Sequence, residues 1–212
     1  LDGFRKGNEN FAREVMELHT VGADGGYSQA DVRELARVFT GWTLTGRGNF
    51  TFDPNNHDFN AKTVMGQVFP AMPAGAGAAG KSEGDRMIDF RATHPNTATF
   101  LARKMLQWLL QYEPTTAQVA AVATVYSRTQ GDIAAMVRAI LSPANVATAA
   151  PKLKRPYTFM LSSLRAVKPV VTKVSTISDR YLRLLGQPMF YWDPPDGYPD
   201  HADYWAGGLL QR

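Results

Sequence analysis

The chain has 212 residues, 44% of them hydrophobic, with 23 Lys and Arg against 19 Asp and Glu and no cysteine. That much apolar material supports a well-buried core, and the missing cysteines exclude disulfides, thiolate metal sites and thiol nucleophiles. The small cationic excess comes without an aromatic-basic motif, which argues against nucleic acid as a partner, and no apolar run approaches the roughly 18 residues of a membrane span.

The sequence starts inside a charged segment, Leu1 to Lys6, without the pattern of a signal peptide. A first helix is expected over Asn8 to His19, with Phe11, Val15 and Leu18 as its apolar stripe. Asn10, Arg13, Glu14 and Glu17 recur at helical spacing on a second face. That face reads either as a functional wall or as an ordinary solvated surface on which Arg13 pairs with Glu9 and Glu17. After a turn at residues 21–26, Ser28 and Asp31 have the spacing of an approximate capping box, opening a helix to about Thr40. Val32, Leu35, Ala36 and Phe39 form its buried stripe, and Gly41 is placed to end it in a left-handed cap.

Residues 45–93 form a long loop or insert, in which Phe50–Phe52 and Thr63–Met65 are expected to pair as a two-stranded ribbon. The Ala/Gly run at 74–80 reads as mobile, followed by a short helix from Glu83 to Arg91. His94 is placed to cap the next helix, with Pro95 at its first position and Leu101, Met105, Trp108 and Leu109 on its buried side. Further helices are expected from Thr115 or Thr116 to about Thr129, from Asp132 to Leu141, from Pro156 to about Lys168 and from Thr176 to Leu185. Residues 187–212 are a proline- and aromatic-rich tail. The fold class is mainly α: an irregular orthogonal helical bundle in one domain spanning 1–212, with the small β-ribbon in its long loop.

The run Asn8 to Thr20, then Gly25-Gly26-Tyr27, Asp31-Val32, Thr40-Gly41-Trp42, His57-Asp58 with Lys62, His94-Pro95, Arg103-Lys104, Lys154 with Pro156, Gly186-Gln187-Pro188 and Pro194-Pro195-Asp196-Gly197 carry a family signature. Together, and in this order, they resemble the bacterial family catalogued as domain of unknown function 1800. Members are longer on both sides and often carry an N-terminal export signal. The resemblance therefore implies a C-terminal-half fragment of a larger periplasmic or secreted bacterial protein, and it implies no activity.

If that signature marks a site, it gathers Arg13, Glu14, Glu17, His19, His57, Asp58, Lys62 and His94 from three segments. Glu14, Glu17, His57, Asp58 and His94 then offer an oxygen and nitrogen ligand set for a divalent metal such as Zn, Mn or Fe. Glu14, Arg13 and Lys62 are the candidate catalytic groups, with a spare carboxylate acting as base on a metal-bound water in a hydrolase or oxidase. The spacing lacks the helical His pair of a zincin. Each residue also has a plain role: His94 as a helix cap, His57 as a turn residue, and Lys62 as the partner of Asp58. No nucleophile elbow or phosphate-binding loop is present. The competing expectation is an interaction module of the cell envelope that holds a protein partner with the 45–80 loop or the tail.

Overall fold

The computed structural model describes residues 7–46, 48–73 and 76–210. The charged opening at 1–6 and the first two residues of the Ala/Gly run lie outside them. Among the described residues the chain is mainly α-helical, with ten α-helices and two small antiparallel hairpins. It divides into two compact units, one drawn from Leu1–Ala102 and Ala120–Met136, the other from Arg103–Val119 and Val137–Arg212.

In the first unit, α1 (Glu9–Glu17) starts at Asn8, whose side chain accepts from the Phe11 amide. Ala12 and Met16 are its fully buried residues, one turn apart, whereas Phe11 is 44% exposed. The buried stripe is thus rotated from the expected Phe11–Val15–Leu18 line, because small Ala12 lets α1 lie close against α2 while Phe11 swings to its edge. On the polar face of α1 Asn10 donates to Glu14 at i,i+4 spacing, but Arg13 turns to the next helix and not to Glu9 or Glu17. Arg13 donates to Gln29 Oε1 at 2.8 Å and Gln29 Nε2 donates to Glu9 at 2.9 Å, tying α1 to the start of α2.

Helix α2 (Gln29–Val38) has the expected full capping box between Ser28 and Asp31, and Gly41 follows it at φ +82°. Val32, Leu35, Ala36 and Phe39 join Met16, Val64, Phe69 and Met87 in one apolar cluster. The two expected strands both exist but not as partners. Strand β1 (Trp42–Leu44) pairs antiparallel with β2 (Phe50–Phe52), and β3 (Lys62–Val64) pairs with β4 (Gln67–Phe69). The second hairpin turns through Met65 at φ +47° and Gly66 at φ +81°. Two left-handed residues give a tight primed turn that matches strand twist, and this local closure outcompetes the longer-range ribbon.

Gly77–Gly80 of the Ala/Gly run form a 3-10 turn that leads into α3 (Lys81–Ala92). Helix α4 runs over Pro95–Leu109, opened by His94 Nδ1 accepting from the Asn96 amide at 3.1 Å. Its buried apolar positions are Ala98, Ala102 and Leu106, beside the buried Thr97 and with Leu110 just beyond it, while Trp108 is 58% exposed. The expected stripe was set by large side chains, whereas close packing selected the line of alanines. Helix α5 (Thr116–Arg128) follows the Thr115 cap.

Helix α6 (Ile133–Ile140), capped by Asp132, begins in the first unit and ends in the second. A short α7 (Pro143–Thr148) follows Ser142, unforeseen because six residues show no period. Helix α8 (Pro156–Val167) ends at Lys168, which adopts φ +46°. A π-helical turn over Thr176–Tyr181 runs into α9 (Leu182–Leu184), and the tail contributes a further helix, α10 (Ala202–Leu210). Lys152 holds the end of α4 by donating to the Gln107 and Trp108 carbonyls and pairing with Asp200 at 2.7 Å. The Arg155 guanidinium lies 3.9 Å from the centre of the Trp108 ring.

Candidate functional site

The charged residues of the 45–93 segment are positioned by α2. Its acidic side chains reach backbone amides of the β3–β4 hairpin: Asp31 Oδ1 accepts from Met65 N at 2.6 Å and Glu34 Oε2 from Thr63 N at 3.2 Å. Arg37, one turn on, donates to Asp58 Oδ2 at 2.8 Å and to Glu34 at 2.7 Å. Burial pushes the Asp58 carboxyl up, but hydrogen bonds from Arg37 and Asn60 outweigh it and bring its pKa down to about 2. The Arg37 guanidinium is raised by the same bond to Asp58.

His57, Lys62 and Glu83 meet beside this layer, each with a fully buried side chain. Lys62 Nζ donates to Glu83 Oε2 at 2.7 Å and to the Asn60 carbonyl at 3.0 Å. Lys62 therefore pairs with Glu83 and not, as expected, with Asp58, which is occupied by Arg37. His57 Nδ1 lies 2.7 Å from the Thr40 carbonyl oxygen, an acceptor, so this nitrogen carries a proton. Its Nε2 faces Glu83 Oε2 at 3.4 Å, an ion-pair distance longer than a good hydrogen bond. Burial raises the Glu83 carboxyl, but His57 and Lys62 beside it hold it below the ordinary carboxylate range. Phe52 and Phe59 flank the imidazole edge-on. Gly80 closes the wall, since a Cβ there would lie 2.6 Å from His57 Cδ2.

A second buried charge has no such partner. The Arg91 side chain reaches Met65 Sδ, while its Nε and Nη2 are buried without a hydrogen bond. Burial lowers its pKa to about 10, with Asp31 and Tyr27 opposing the shift. His94 is lowered as well, by burial and then by the Arg91 charge.

The remaining candidates sit apart from this cluster. Glu14 accepts from Asn10 Nδ2 at 2.8 Å on the half-buried outer side of α1, Glu17 lies on the same helix, and His19 is exposed. Thus His57 and Lys62 converge, Asp58 faces Arg37, and His94 opens α4. Glu14, Glu17 and Arg13 stay on α1 with Asn10 and Gln29. Among the described residues no group of three or more His, Asp or Glu is arranged to hold a metal ion.

Sequence reasoning missed Glu83, the carboxylate at the centre of the buried cluster. The signal for it was Gly80 and Gly84, one turn apart at the start of α3, which mark a helix side approached closely by neighbouring rings. It also missed that Phe11, Phe39, Trp42 and Phe50 form a ladder. Successive ring centroids are 5.5, 4.9 and 5.1 Å apart. With Ala36, Leu44, Asn8, Asp53 and Asn56 the ladder lines a half-open groove of about 600 Å³.

The match of a family model over residues 4–212, to the family described as protein of unknown function (DUF1800), decides the relationship. The chain belongs to the DUF1800 family. No curated protein and no solved structure matches it. In this DUF1800 chain the signature residues have varied places: His57 and Lys62 enter the buried cluster, Asp31 clamps a hairpin, and Gly41-Trp42 form the groove floor.

Proposed function

We propose that this DUF1800 chain is an interaction module of an exported bacterial protein, whose aromatic groove receives an apolar segment of a protein partner in the cell envelope. The groove carries this reading. Phe11, Leu44 and Phe50 leave large apolar surface in water at 44%, 66% and 49% exposure around one concavity. Unoccupied apolar surface of this kind, with polar groups at the rim, is typical of a docking site. The polar rim is already committed: Asn8 caps α1, and Asp53 accepts from the Asn55 amide and from Asn56 Nδ2. Recognition there rests on shape and apolar burial. The periplasmic or secreted compartment is part of the proposal and rests on the family resemblance alone.

The other reading, a metal-dependent hydrolase or oxidase using Glu14, Glu17, His57 and His94, requires Glu14, His57 and His94 to leave the partners described above. One experiment separates the two. Peptides selected by display against the chain are titrated while tryptophan emission is followed, with the wild type and with Leu44→Asp combined with Phe50→Ser. The expected result is a set of peptides sharing bulky apolar residues that shift the emission of the wild type and lose about tenfold or more in affinity for the variant. Peptides that bind both proteins equally, or none recovered, would refute the docking reading. Element-resolved metal analysis of the wild type and of Glu14→Gln with His57→Ala serves the alternative: near-stoichiometric metal lost in the mutant would replace this proposal with the enzyme.

A further inference from the structure

Helix α8 has one buried residue, Pro156, although Tyr157, Phe159, Met160, Leu161, Leu164 and Val167 make it strongly apolar. From its last turn onward the eleven residues Arg165 to Ser175 are all exposed. Within that run Val167 is 74%, Val170 90% and Val174 70% exposed, alternating with Arg165, Lys168 and Lys173 and with no acid. The charge is concentrated on the same stretch. Residues 152–183 hold eight Lys and Arg and one acid, Asp179, while the other 180 residues hold fifteen Lys and Arg and eighteen acids. Lys152 and Arg155 of the eight face Asp200, and the other six are exposed.

We propose that this loop and its flanks are a membrane-docking surface for an anionic phospholipid bilayer. Branched apolar tips set between cations supply the two signals that peripheral attachment needs, insertion below the headgroups and attraction to their phosphates. A bilayer interface asks for no fixed shape, and irregular backbone carrying valines offers none. No helix among the described residues is long and apolar enough to cross a membrane, so the attachment is to the surface. The inference uses residues outside the aromatic groove and stands or falls separately from it.

The test is co-sedimentation of the whole chain with phosphatidylcholine vesicles and with phosphatidylcholine–phosphatidylglycerol vesicles. Because the chain has no cysteine, Val170→Cys can carry a single nitrobenzoxadiazole probe of depth. The proposal expects binding to the anionic vesicles alone, weakened by salt, with a blue shift of the probe. It expects about a tenfold loss or more for Lys168→Glu with Lys173→Glu, and a comparable loss for Val170→Asp, with unchanged thermal melting in both. Equal partition to both vesicle types, or to neither, overturns it. So does retention on polyglutamate without vesicle binding, which would mark an acidic protein as partner. A dimer that Val170→Asp dissociates would overturn it in favour of a second copy of this chain.

Discussion

The first unit encloses charge, whereas the second leaves apolar surface uncovered. In the former, Lys62, Glu83, His57 and Arg91 are buried, and Lys62 and Glu83 neutralise each other. In the latter, α8 and the valine loop remain in water. A buried ion pair is poor at adding stability but strongly penalises any arrangement that separates its members. An uncovered apolar face adds nothing to the fold and waits for an external surface. The buried charges of the first unit therefore specify its packing from within, whereas α8 and the valine loop of the second add apolar surface that its own packing does not use.

The sharpest way to break this contrast is Lys62→Met, which leaves Glu83 buried beside His57 alone. It should cost about 3–5 kcal/mol, a fall of roughly 10 °C or more in Tm, read by calorimetry. Lys62→Met combined with Glu83→Gln should recover most of that loss. A single mutant that melts like the wild type would mean the cluster is solvated and the contrast false. Next in size is Gly80→Ala, whose methyl would press on His57 Cδ2 and should cost about 1–3 kcal/mol through overpacking.

Asp58 gives a smaller effect that depends on pH. Its carboxyl falls from 3.8 to about 2 on folding. The stabilisation it contributes is therefore complete above pH 3.8 or so and is lost as pH falls toward 2. Asp58→Asn should remove on the order of 1–2 kcal/mol at neutral pH, after allowance for solvent screening, and almost nothing near pH 2. A Tm difference constant between pH 7 and 2 would contradict the pairing with Arg37. At the small end, Val170→Asp should move stability by no more than about 0.5 kcal/mol, since nothing in the chain rests on that side chain. A larger loss would show that the valine loop is packed and end the comparison.

Where capping chemistry is local, the sequence was sufficient: Ser28 with Asp31, Gly41, His94 and Pro95 all act at helix ends as their types and spacing implied. It was less informative about which face of a helix is buried. On α1 and α4 the closest packing falls to Ala12, Ala98 and Ala102, while periodicity weighted by side-chain size pointed to Phe11 and Trp108. The candidate site was half legible. His57 and Lys62 do meet, but the carboxylate that joins them, Glu83, comes from a helix whose sequence looks solvated. No spacing rule links residues 57, 62 and 83, because their proximity is made by the hairpin and by the glycines of α3. The aromatic groove was illegible for the same reason, its four rings coming from α1, the end of α2 and two strands.

Asp31 has a consequence for the order in which the chain folds. Its carboxylate closes the capping box of α2 and also accepts from Met65 N at the turn of the β3–β4 hairpin. One side chain thus joins two local structures that each form quickly, a helix start and a tight primed turn. A folding nucleus at their union would span only 34 positions along the chain. Asp31→Ala should then slow refolding in stopped-flow measurements more than it accelerates unfolding, whereas Lys62→Met, acting after the nucleus has formed, should mainly accelerate unfolding.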